Sequence, residues 1–299
     1  METFETQVTE QERKRWNKKL HVTFLVVKII VFIIFLVYAI SLLYPLLWAF
    51  FTSLKTQFEW QNVNRNGLPT QWLFSNYITA FVEVSENGVD MITMLFNSVW
   101  YTLGGTLLGV FVSAMTAYVT AKYDFPGKKI VYGISVFVMM LPIVGAMPSQ
   151  YKIYTALGII NTPLIVLTFA AGVGFNFVVL YSFFQSLSWE YAEAAFIDGA
   201  SDFRVFIQIM LPQTLSTIVA LCVVASITFW NDYMGPLLFM KNYPTLAAGL
   251  YLFQVHMTRH RNYPVYFAAL LISMLPILAV FVAFQNTLMN MSVGGGLKG

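Results

Sequence analysis

From Leu25 to Phe50 the chain carries one charge, Lys28, and five further stretches repeat the pattern near 92–119, 130–148, 163–184, 214–238 and 265–286. Those five together hold a single charged residue, Asp232. An apolar run of about 20 residues matches a hydrocarbon core of about 30 Å. Inside that core every backbone N–H and C=O must find its partner within the protein, which leaves helices and closed barrels. Runs this long and unbroken by alternation predict helices. Charged residues make up 10% of the 299-residue sequence, against about 25% in soluble domains. The expected fold class is therefore an all-α polytopic membrane protein with six transmembrane helices. It divides into an N-terminal segment (1–24), a six-helix domain (25–286) and a C-terminal tail (287–299).

Residues between the spans add detail. Arg13, Lys14, Arg15, Lys18 and Lys19 abut the first span, which is too long for a signal-peptide core. Lys28, near a span end, is expected to snorkel to the headgroups. In the polar stretch 51–90, Asn62, Asn64, Asn66, Gly67 and Pro69 predict turns, and Trp60, Trp72 and Phe74 are expected to pack on a surface. The second span carries Gly105 and Gly109 as GxxxG, a spacing that lets helices approach closely, either within the subunit or at a seam with another. Pro142 falls near the end of the third span, and the fourth centres on Ala170-Ala171-Gly172-Val173-Gly174, which can pack tightly or unwind. In the fifth span Asn231, Asp232 and Tyr233 precede Gly235 and Pro236. A carboxylate at that depth is costly unless it faces a cavity or a partner. These three residues are the candidate wall of a solute path, or else a helix-end cap. The stretch Lys241–Tyr263, with Arg259, His260 and Arg261, reads as a polar outer loop.

With the N-terminus inside, ten of the 17 Lys and Arg fall in inside segments and six in outside segments. This bias places both termini in the cytoplasm.

Several chemistries are excluded. A net charge of +3 without a basic patch gives no case for nucleic acid. Cys222, the only cysteine, rules out an intrachain disulfide and a cysteine-based metal cluster. No GxxxxGK[ST] loop is present, and the terminal GGGLKG lacks the Ser or Thr that would follow. His256 and His260 sit at i, i+4 but have no third ligand, and His21 lies at the membrane boundary. No cofactor, metal or catalytic set is expected, so the chain is not read as an enzyme.

One charged, amphipathic segment joins the fourth and fifth spans, within 188–212. Four of the 14 acids lie in it: Glu190, Glu193, Asp198 and Asp202. Ser188 and Ser201 are expected helix caps. Gly199 suits a left-handed helix terminus, and Pro212 is expected to break the helix before the next span. Phe203, Phe206, Ile207, Met210 and Leu211 recur at helical spacing as a buried face. The spacing Glu193-Ala194-Ala195, Gly199, Ile209, Leu211-Pro212 resembles the signature loop of permease subunits of bacterial ATP-binding-cassette importers. With the Trp230–Phe239 stretch and the GLKG tail, the chain is similar to the carbohydrate branch, and there to the second permease of the maltose type.

The resemblance implies a type I importer permease fold and a multi-pass position in the bacterial cytoplasmic membrane. It implies a heterodimer with another permease, two cytoplasmic ATPases and an extracytoplasmic solute-binding protein. Glu193, Ala194, Ala195, Gly199, Ile209, Leu211 and Pro212 would then couple to the ATPase. The cargo implied is a sugar or oligosaccharide. A same-fold permease for glycerol phosphate or a peptide is the alternative, and an ion-coupled secondary transporter a more distant one.

Overall fold

The first helix, α1 (Glu10–Ser53), runs through the first span with Pro45 inside it, since in hydrocarbon the remaining backbone bonds have no other partners; its apolar part runs Thr23–Ser53. Most of that part is exposed, and Trp48 meets Phe267 edge-on at 5.0 Å. The computed structural model describes residues 10–140, 145–256 and 262–294. The expected details at Pro142, Arg259, His260, Arg261 and the GLKG tail lie outside those residues.

The carbonyls that end α1 are not left bare. Asn76 Nδ2 donates to Ser53 O at 2.8 Å and to Lys55 O at 2.9 Å, filling acceptors that a helix end cannot satisfy itself. Lys55, 1% exposed, donates to the carbonyls of Asn64 and Arg65. Burial holds its ammonium below the usual lysine range. A π-type turn over Glu59–Val63 follows, then α2 (Ser75–Glu83) and a two-residue hairpin, β1 (Ser85–Glu86) with β2 (Val89–Asp90). Of the three aromatics expected to pack here, only Trp60 is buried, stacking on Tyr263 at 4.0 Å; Trp72 and Phe74 are exposed.

Helix α3 (Met91–Lys122) is the spine of the molecule. Asp90 caps it, accepting from Thr93 N–H at 2.9 Å. Three apolar clusters lie along it. Met91 and Met94 join Trp230, Leu246 and Val265 at one end, Tyr101 meets Ile165 and Met240 midway, and Val110–Tyr118 packs with Phe177 and Phe184 at the other end. The GxxxG stripe is spent inside the subunit. A Cβ on Gly105 would come within 2.8 Å of the Phe229 ring, and one on Gly109 within 3.3 Å of Phe169 O.

Six unbroken spans do not form among the described residues. Three helices there are long and apolar enough to cross a membrane: α1, α3 and α13 (Tyr263–Gly294). The described part of the third span holds α4 (Lys128–Met140), and α5 (Met147–Ala156) follows. The fourth is a 3₁₀ segment (Pro163–Phe169), an irregular stretch at 170–174, and then α6 (Phe175–Ser186). The Ala-Ala-Gly-Val-Gly centre has unwound: Gly174 has φ 102°, and Ser113 Oγ donates to Ala171 O at 3.0 Å. Irregular backbone at membrane depth requires partners of this kind.

After α6 come α7 (Glu190–Ile197), α8 (Asp202–Val205), a π-type turn (Phe206–Met210), α9 (Leu211–Gln213) and α10 (Leu215–Trp230). Residues Asp202–Gln213 and α10 meet at 79°. The fifth span breaks again after Trp230, before α11 (Met234–Phe239). The expected polar loop Lys241–Tyr263 holds a helix instead, α12 (Leu246–His256). Leu246, Ala248, Gly249 and Leu250 are buried in it, and a Cβ on Gly249 would strike Met94 Sδ. The flanking charges hide an apolar helix that folds back against α3.

Candidate functional site

The loop between α6 and α10 is built from its caps outward. Ser188 Oγ accepts from Glu190 N–H at 3.3 Å, although the helical cap position itself is Trp189. Glu190 and Glu193 stand in the first turn, where the helix dipole favours negative charge. At the other end Gly199 has φ 81°. Its N–H donates to Phe196 O at 3.0 Å, and Ala200 N–H to Ala195 O at 2.9 Å. This is the paired bonding of a Schellman terminus, which needs a residue without strain in the left-handed region. Ser201 occupies the cap position of α8 without a side-chain bond; its carbonyl accepts from Val205 N–H at 2.9 Å.

The faces divide cleanly. Ala192 is fully buried, whereas Glu193 and Ala194 are exposed and Ala195 is half-buried. Ile197 is 87% exposed, an apolar side chain left in the open beside Gly199. Phe206 and Met210 are buried as expected, with Ile207 and Leu211 packed against the same cluster. Phe203 is not in that face: it is 62% exposed, and the fully buried residue of α8 is Val205. A π-type turn follows Val205. Leu211 N–H reaches back five residues to Phe206 O, so the pattern slips against a regular helix. The next residue, Pro212, has no N–H to continue the ladder and its ring crowds the carbonyl four residues earlier, which a widened turn relieves. The chain turns at Thr214, whose hydroxyl donates to Leu211 O at 2.8 Å. Ile209 is half-buried and Pro212 exposed.

Helix α3 grips the loop from behind. Lys122 Nζ donates to Leu187 O at 2.5 Å. Tyr123 OH donates to Asp202 Oδ1 at 2.6 Å and lies 3.3 Å from Tyr118 OH. The indole of Trp189 meets the Tyr123 ring edge-on at 5.7 Å. Burial and the neighbouring Asp202 carboxylate push the Tyr123 phenol above its ordinary range. Neither tie is legible in the sequence, because a Lys-Tyr pair at a helix end carries no pattern of its own.

The trio Asn231, Asp232 and Tyr233 is split by the break it causes. Asp232 accepts from Tyr101 OH at 2.6 Å through Oδ2 and from Gly235 N–H at 3.0 Å through Oδ1. It stands one residue before Tyr233, the cap position of α11, and also lines a cavity of about 220 Å³ with Gln150, Tyr154 and Thr168. Asn231 and Tyr233 line a different cavity, of about 240 Å³, with Tyr251 and Tyr266. Tyr233 and Tyr251 stack there at 4.7 Å. His256 is exposed, with Nδ1 3.5 Å from Glu86 Oε2, while His260 lies outside the described residues. Cys222 is half-buried beside an apolar cavity of about 350 Å³.

Residues 105–289 match the family described as "Binding-protein-dependent transport system inner membrane component". The chain is 29% identical to the diacetylchitobiose uptake system permease protein NgcG of Streptomyces coelicolor, over 84% of this chain and 82% of the relative. It is 26% identical to the trehalose transport system permease protein SugB of Mycobacterium tuberculosis, over 86% and 93%. Its fold superposes with a TM-score of 0.73 on a chain of a bacterial ABC transporter involved in alginate import, at 20% identity, over 87% of this chain and 96% of that one.

Proposed function

Since the chain belongs to the family of binding-protein-dependent transport system inner membrane components, we propose that it forms half the translocation pathway of an ATP-driven importer for a sugar or oligosaccharide. As a permease subunit it is a non-catalytic transport component of a cell membrane. Relatives named for diacetylchitobiose and trehalose transport support the sugar class. Its partners in this reading are a second permease, two cytoplasmic ATPases and an extracytoplasmic solute-binding protein. The domain plan is 25–286 for the membrane unit, with 1–24, the 188–212 loop and 287–299 on the cytoplasmic side.

The observation that carries the coupling role is the shape of α7. A short helix presents Glu193 and Ala194 outward, is closed by Gly199 in a left-handed turn, and is backed by a fully buried Ala192. The small Ala194 on the outer face lets a partner surface come close there, and the buried Ala192 behind it backs the helix against the rest of the chain. In this reading Glu193, Ala194, Ala195 and Gly199 form the docking face, and Ile209, Leu211 and Pro212 hold the angle at which the loop meets α10. The path role falls to Asn231 and Tyr233, where an amide and stacked tyrosines suit sugar hydroxyls and ring faces. Asp232 shapes that wall by ending α10.

Purification of the tagged chain from its native membrane, with mass spectrometry of what accompanies it, tests the assembly. A second permease and a cassette ATPase are expected, the ATPase being lost from this chain on Glu193→Lys with Gly199→Trp while the chain remains inserted. A chain that purifies alone and transports without ATP would overturn it.

A further inference from the structure

The two ends of the α7 loop are tied to consecutive residues at the end of one helix. Lys122 holds the carbonyl of Leu187, three residues before α7, and Tyr123 holds the carboxylate of Asp202, five residues after α7 ends. The indole of Trp189 rests edge-on against the same tyrosine and lies 6.0 Å from Phe196 of α7. Behind it the Tyr118 ring meets Phe206 at 5.0 Å and Phe184 at 5.5 Å.

The covalent routes out of the loop are poorer transmitters. Upstream, α6 ends at Ser186 and the chain runs through an extended Leu187, with ψ 142°. Downstream, a push must pass the π-type turn and the 79° bend at Thr214 before it reaches α10. Helix α3, by contrast, runs unbroken from Met91 to Lys122 beside all three apolar clusters.

We propose that Lys122, Tyr123 and Asp202 are positioning residues that make α7 and α3 one rigid lever, so that force received at α7 is delivered along α3 and not through α6 or α10. This rests on the docking role of α7. The bond Tyr123–Asp202 is charge-assisted and short, the strong class of hydrogen bond. Lys122 adds a second tie on the other side of α7, so the helix cannot pivot about either end alone. The lever reaches the far cluster because an α-helix is stiff along its axis, whereas a broken span yields at each break.

The test uses the assembled importer in lipid, with Cys222→Ser as background and spin labels at Glu190→Cys on α7 and Leu107→Cys on an exposed face of α3. Both label positions are exposed. The probe is ATP with vanadate, which needs no identified cargo. In the parent pair the inter-label distance stays unshifted on adding the nucleotide. With Tyr123→Phe and Asp202→Asn it shifts by about 1–2 Å or broadens to match, the scale of helix displacements in switching proteins. Lys122→Met, which keeps the stem and loses the donor, adds to that shift. None of these changes removes a core side chain, and ATP hydrolysis by the assembly confirms that the complex is intact. A parent distance that moves with nucleotide, or variants that leave it unmoved, would overturn the lever. Failure of Ala194→Cys to cross-link to the ATPase would remove the docking role itself, and the lever with it.

Discussion

Gly199 shows how much one residue's backbone can decide. No atom lies within 4 Å of where its Cβ would stand, so space does not require glycine; the φ of 81° does. An L-residue in that region costs about 1–2 kcal/mol. Gly199→Ala should therefore lower stability by about 1 kcal/mol, seen as faster hydrogen exchange at Ala200, whose N–H closes the terminus. The Tyr123 phenol offers a titration. Its ordinary value is 10.0, and burial with the Asp202 bond raises it. A raised folded pKa contributes stability that is fully present below the unfolded value and lost as pH climbs through the folded one. Absorbance titration of Tyr123→Phe against the parent should show the missing phenol ionising above 10.0; a difference centred at 10.0 would contradict the burial and the bond. At Asp232 the carboxylate serves the chain's own geometry. Tyr101→Phe should loosen the α10–α11 break and lower thermal stability, whereas Asn231→Ala should leave stability nearly unchanged and weaken uptake.

Among the elements, α3 depends on its glycines. A side chain at Gly105 meets the Phe229 ring of α10, and one at Gly104 meets Val166 of the 3₁₀ segment. Gly105→Val should separate α3 from α10 and cost about 1–3 kcal/mol, the usual range for overpacking, measured as a fall in melting temperature in detergent. The GxxxG spacing is legible in the sequence, but its partner is not. Small residues at i, i+4 show where a backbone comes close, and only the folded chain shows that Phe229 and Phe169 come there. The broken spans are half legible. Gly174 and the Asn231-Asp232 pair are breakers by chemistry, yet a hydropathy window averages over them and returns one long helix. Helix α12 escapes a sequence reading for the opposite reason: its 11 residues are too few to span a membrane, and the charges around them read as loop.

Across the whole molecule, two ends do different work. One joins α2, the hairpin, α12 and the start of α13 around Met91 and Trp230; the other seats the α7 loop. The exposed α7 face predicts that hydrogen exchange in α7 slows several-fold in the assembled importer relative to the isolated chain, while residues 170–174 are unchanged. Equal exchange in both would place the ATPase contact elsewhere.

Composition and the spacing of apolar runs decided by themselves that this chain lies in a membrane as helices, because an unpaired backbone in hydrocarbon is too costly for other forms. The Glu193–Pro212 spacing decided the family resemblance and the Gly199 terminus of α7, because turns are set by a few local residues. What only tertiary structure decided was which helix bears on which. Lys122 and Leu187 are 65 residues apart, Tyr123 and Asp202 are 79 apart, and Tyr101 and Asp232 are 131 apart. Bonds across such separations leave no periodic trace in a sequence; they form when packing brings together side chains with unsatisfied donors and acceptors.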